Sequence, residues 1–172
     1  MNIESELDRL AREREKACGA VLSAMALDAA GQLRQLRAYL ARQQDHKRIK
    51  GAIDKIIQLR QLPDGFDELD CARAEFVSES RLEFTIRMER RQPGWRLSQF
   101  RFHLYLPGRR EVTMVRIHLN AQHGRDYLGV PRCHMHIGRG REHGKAHIPF
   151  PVLSPLLVLH LICEVIEPDF GG

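Results

Sequence analysis

Phe100-Arg101-Phe102-His103-Leu104-Tyr105 is the stretch on which the fold turns. Apolar and polar residues alternate in it with a period of two, which places them on opposite faces of a β-strand. The same alternation occurs three more times. Leu82, Phe84, Ile86 and Met88 interleave with Glu83, Thr85, Arg87 and Glu89. Val115, Ile117 and Leu119 interleave with Arg116, His118 and Asn120, and Cys133, Met135 and Ile137 with Arg132, His134 and His136. Turn residues separate these runs: Gln92-Pro93-Gly94, Pro107-Gly108-Arg109 and Gly124-Arg125-Asp126. Short turns between half-buried strands predict an antiparallel meander of about four or five strands. A two-residue Gly108-Arg109 turn of type II′ would pair Phe102 with Val115 and set Arg101 opposite Arg116.

Outward from this sheet the period changes. From residue 3 to about 60 the apolar spacing is helical: Ile3, Leu7 and Leu10, then Leu33, Leu36 and Leu40, then Ile53, Ile56, Ile57 and Leu59. Gly19 and Gly31 interrupt the run, and Leu62-Pro63-Asp64-Gly65 stops it. At the other end, Ser154 and Pro155 signal a helix start, and Leu156 to Ile166 form a nearly all-apolar helix that Pro168 should end. His160 within it reads as a core histidine. The expected class is α+β: an N-terminal helical hairpin (1–66), then an antiparallel sheet domain (67–172) with the C-terminal helix on its apolar face. The N-terminal stripe packs on the sheet, on a second copy of the chain or on a protein partner.

Composition bounds the function. The chain has 172 residues, with 43% hydrophobic and 28% charged, so it can bury a core without disulfides. A net charge of +5 permits nucleic-acid or phosphate partners without requiring them. Cys18, Cys71, Cys133 and Cys163 are scattered, and the start Met-Asn-Ile-Glu-Ser-Glu has neither a basic nor an apolar run, so no secretory signal is expected. Reduced thiols in a cytoplasm are expected. The apolar run 152–166 is too short and too broken to span a bilayer, so no membrane association is expected.

The polar side of the sheet carries the chemistry. Arg101, His103, Tyr105, Arg116, His118, Asn120, Arg132, His134 and His136 share one face on three strands that offer no carboxylate there. A solvated face, or one covered by acidic residues of the N-terminal helices, is the plainest account. Two chemistries compete with it. In the first, His134 and His136, with His103 or His118 as alternative partner, act as acid and base while Arg101, Arg116 and Arg132 hold a phosphate. RNA brings its own 2′-hydroxyl nucleophile, so no Ser or Cys nucleophile is required, and on this reading no cofactor is expected. In the second, His134-x-His136 points two imidazoles the same way, and His103 or His118 completes a transition-metal site. The scarcity of carboxylates argues against a two-Mg²⁺ nuclease. Gly138 to Lys145 is a basic, glycine-rich loop whose Arg139 and Arg141 could close on RNA. Cys133 is out of phase with His134, which argues against a Cys–His nucleophile pair.

Phe100-Arg101-Phe102-His103, Val115-Arg116 through Asn120, Pro131-Arg132-Cys133-His134-Met135-His136 and Ile148-Pro149-Phe150 before a final helix together resemble TumE-type toxins of bacterial toxin–antitoxin pairs. The resemblance covers roughly residues 97–166 and rests on short motifs. It departs in lacking an acidic neighbour at Leu119-Asn120 and in a His run of only His134-x-His136. It implies a growth-inhibiting toxin with an antitoxin partner, and Arg101, His103, Arg116, His134 and His136 as its functional residues. The function expected from all this is a metal-independent ribonuclease or other phosphodiester-acting protein. A non-catalytic nucleic-acid or protein-binding module is the alternative.

Overall fold

The computed structural model describes residues 28–92, 94–107, 112–120, 132–139 and 147–171, with Arg9 and Glu13. Asp28 caps helix α1 (Ala29–Asp45) by accepting from Gly31 N–H. The helix buries Leu36, Tyr39, Leu40 and Gln43, at spacings that keep them on one stripe. It is the one helix of the expected hairpin among the described residues, and Ile3, Leu7 and Leu10 lie outside them.

The stretch expected as a second helix, 48–59, does something else. Strand β1 (Ile49–Lys50) is followed by a single turn, α2 (Ile53–Ile56), and by strand β2 (Ile57–Gln61). Gly51, at φ +95°, makes the break after β1 that a side-chain-bearing residue would resist. Both strands pair with the outer edge of β3 (Phe66–Phe76), at Ile49↔Phe76 and Ile57↔Cys71. Residues 49–61 therefore extend the sheet.

The sheet continues through β4 (Arg81–Arg91), β5 (Gly94–Tyr105), β6 (Met114–Leu119), β7 (Cys133–Gly138) and β8 (Ile148–Pro149). The order is β1-β3-β4-β5-β6-β7-β8 with β2 also on β3, every pairing antiparallel. It is an eight-stranded sheet rather than one of four or five strands. The apolar side buries Leu69, Leu82, Phe84, Ile86, Phe100, Phe102, Leu104 and Ile117, with Phe84 stacked on Phe102 at a ring separation of 5.1 Å. The β5–β6 register is two residues away from the one a Gly108-Arg109 turn would impose. Phe102 faces Ile117, and Leu106 N–H reaches the Thr113 carbonyl at 2.9 Å. The connection is thus longer than two residues. A shift of two leaves each side chain on its expected face but changes every partner.

The C-terminal helix packs on the apolar side through Val158, Leu159, Ile162 and Cys163. Ser154 Oγ accepts from Leu157 N–H and Pro155 fills the first turn, as its sequence indicates. Pro168 does not end it. Helix α3 (Pro155–Leu161) passes through a π turn (Ile162–Ile166) into α4 (Glu167–Gly171). Glu167 N–H reaches back to Ile162, which leaves Pro168 in the first turn of α4, where no N–H is required. His160 is exposed rather than core; its Nδ1 lies 3.3 Å from Tyr39 Oη. No described helix is long and apolar enough to cross a membrane. Cys71, Cys133 and Cys163 are buried thiols.

Candidate functional site

The pleat of β5, β6 and β7 sends His103, His118, His134 and His136 to the side of the sheet opposite the described C-terminal helix. Two cross-strand rows result. In one, Arg101 faces His118 and His118 faces His134. In the other, His103 faces Arg116 and Arg116 faces His136. The expected Arg101–Arg116 opposition is absent, because the two-residue register shift exchanges it for arginine–histidine pairs. That removes a like-charge contact directly across the ladder.

The rings form one cluster. His103 Nε2 lies 2.9 Å from His118 Nε2, so one nitrogen carries the proton and the other accepts it. His118 lies 5.4 Å, centroid to centroid, from both His134 and His136, which are 4.8 Å from each other. His147 closes the group at 4.9 Å from His134 and 4.4 Å from His136. Sequence reading missed His147. The β7–β8 register, Met135↔Ile148 and His134↔Pro149, carries it one step on to the side of His136. A two-residue strand offers no alternation from which that could have been read.

His134 is 2% exposed, His103, His118 and His136 are half-buried, and His147 is exposed. Burial pushes the His118 imidazole down to about 3, and His103, His134, His136 and Arg116 add to the shift by electrostatic repulsion. At neutral pH His118 is therefore an uncharged base with a lone pair to offer.

The other expected residues divide. Arg116 sits between two histidines, and its Nε lies 3.0 Å from Met114 Sδ. Arg101 is exposed beside His118. Arg132 Nε donates to the Asn120 carbonyl at 3.2 Å, so it braces the end of β6. Asn120 N–H in turn donates to the Arg132 carbonyl at 2.8 Å. Tyr105 turns toward β4: its hydroxyl donates to Glu83 at 3.3 Å and Arg81 lies over its ring at 4.3 Å. Arg139 is exposed at the end of β7, and Arg141, with most of the glycine-rich loop, lies outside the described residues. Cys133 is buried in the core, with Sγ 3.3 Å from the Pro151 carbonyl.

Comparison with known proteins found no matching family model, curated protein or solved structure, so the histidine-lined face stands on its own geometry.

Proposed function

We propose that this chain cleaves RNA by transesterification, with the row His103–Arg116–His136 as its working line. The observation that supports it most is the register, which sets one arginine between two histidines on adjacent strands. Strands lie about 4.8 Å apart, so the outer two backbones are separated by roughly 10 Å, enough to seat a phosphate over the arginine with an imidazole on either side. One imidazole takes the proton of the 2′-hydroxyl as the 2′-oxygen–phosphorus bond forms. The other gives its proton to the 5′-oxygen as the phosphorus–oxygen bond breaks. Arg116 offsets the charge that builds on the phosphorane oxygens. Arg101, beside His118, extends the cationic line for a neighbouring phosphate. The products are a 2′,3′-cyclic phosphate and a free 5′-hydroxyl. The resemblance to TumE-type toxins gives this chemistry a use, growth inhibition relieved by a protein partner.

The test is cleavage of a mixed RNA pool, with end-group analysis, by the wild-type chain and by His103→Ala, His136→Ala and Arg116→Ala. Each substitution should lower the rate by on the order of 10²–10⁴ while the protein stays folded. If the wild type neither cleaves any RNA nor slows growth on expression, or if the three variants cleave as fast as it does, the proposal fails.

A further inference from the structure

We infer that His118, His134 and His136 form a binding site for one divalent transition-metal ion of the zinc class. Their ring nitrogens, one from each residue, all lie within 4.8 Å of one another. In a tetrahedral site with bonds of 2.0–2.1 Å the ligand atoms stand roughly 3.3 Å apart. The three imidazoles therefore need to close by on the order of 1–1.5 Å, which rotation of the half-buried His118 and His136 toward the buried His134 supplies without moving the strands. The ladder holds them ready: His118 and His134 are direct cross-strand partners, and His136 is the next residue of β7 on the same face. The scaffold is rigid in the way a ligand set requires, since none of the three lies on a loop.

The donor chemistry selects the ion. Three neutral nitrogens without a carboxylate suit zinc, cobalt, nickel or copper and do not suit magnesium or calcium. His103, with Nε2 2.9 Å from His118 Nε2, is placed to fix that ring's tautomer and orientation, as groups outside the ligand set do in histidine metal sites. Arg116, between His103 and His136 in the ladder, opposes a bare dication and favours one whose remaining position holds an anion such as hydroxide or phosphate. This inference stands apart from the RNA reading, since binding needs no substrate. The two meet at His136, which a bound ion would withdraw from proton transfer.

The experiment uses the full chain, stripped with a chelator and titrated with Zn²⁺ by calorimetry and with Co²⁺ by visible absorption. One ion per chain should bind, with the intense visible bands of four-coordinate Co²⁺, and Mg²⁺ should give no heat. His118→Ala and His136→Ala should each weaken Zn²⁺ binding by more than about 100-fold, and His103→Ala by about 10–100-fold, the usual effect of losing an outer-shell partner. His46→Ala, an exposed histidine at the end of α1, should bind as the wild type does. His134 is too buried for its loss to be read safely, so folding of the other variants is checked by circular dichroism. Absence of stoichiometric Zn²⁺ or Co²⁺ binding overturns the inference. So does binding that survives in the folded His118→Ala/His136→Ala double variant. A chain that binds zinc and cleaves nothing refutes only the ribonuclease reading; one that cleaves in EDTA and binds no ion refutes only this one.

Discussion

Glu164 shows how a single side chain ties the two ends of the described chain together. Its carboxylate accepts from Gln43 and Arg48 at 2.6 Å each and from Tyr39 at 3.2 Å, so α1 and the stretch after it are bonded to the π turn. The hydrogen bond from Arg48 holds the carboxyl below its ordinary range, that from Gln43 adds to it, and burial opposes them. A carboxyl depressed by folding stabilises the fold above its unfolded value of about 4.3, and that contribution is lost as pH falls through the lower folded value. The groups facing it are Tyr39, Gln43 and Arg48. Since the Arg48 and Glu164 side chains are 42% and 31% exposed, solvent screens the pair. Glu164→Gln should therefore cost about 1 kcal/mol at pH 7 by urea denaturation, and the gap should close below about pH 4. A gap that is constant from pH 7 to pH 3 would mean the charge is irrelevant. At this scale the sequence showed part of the site. His103, His118, His134 and His136 were legible because a period of two fixes their face whatever the register. His160 was misread because a helix with almost no polar residues hides which of its sides meets solvent, and Leu157 and Val165 are in fact 51% and 47% exposed.

At the scale of elements, the helix start at Ser154 was legible and the strands at 49–61 were not. Ser154 acts through a local rule, a hydroxyl accepting from an N–H three residues on, which needs no knowledge of the fold. Ser154→Ala should cost about 1 kcal/mol by the same denaturation, and Ser154→Asp, which restores an acceptor, should recover most of it. Equal losses for both would show that the hydroxyl serves packing. Strand β2 follows no such rule. Ile53, Ile56 and Ile57 carry helical spacing, but Ile57 is a strand residue paired opposite Cys71, and a partner fourteen residues away is invisible to periodicity. Strand β3 was blurred in the same way: a bulge between Cys71 and Ala74 breaks its alternation, and Asp67 on its apolar side is buried against Arg90 at 3.6 Å. The β5–β6 pairing failed in register alone. Turn chemistry around Gly108 suggested the tightest loop, whereas the ladder places Tyr105 opposite Met114.

Across the whole molecule the polar side of the sheet is divided by charge. On β2 and β4 the arginines meet carboxylates: Arg60 pairs with Asp70 of β3 at 3.6 Å, Arg81 with Glu83 at 3.1 Å, and Arg87 with Asp64. From Arg101 on β5 through β6 and β7, the described residues of that side include arginines and histidines and no acid. The net charge of +5 is thus not spread evenly over this surface, and one end of the sheet is where a polyanion should land. Counterion release makes this measurable. For single-stranded RNA each neutralised phosphate adds about −0.7 to the slope of log affinity against log salt. Arg101, Arg116 and Arg139 at the histidine end should give a slope near −2, and Arg116→Ala should make it shallower by about 0.7. Arg60→Ala, at the acidic end and already engaged with Asp70, should leave the slope where it was. The comparison is sharper than affinity alone, because a misfolded variant loses binding at every salt concentration while a lost phosphate contact changes the slope. Equal slopes for the wild type and both variants would place the RNA somewhere other than the histidine face, and a shallower slope for Arg60→Ala as well would show that binding follows total charge rather than its arrangement.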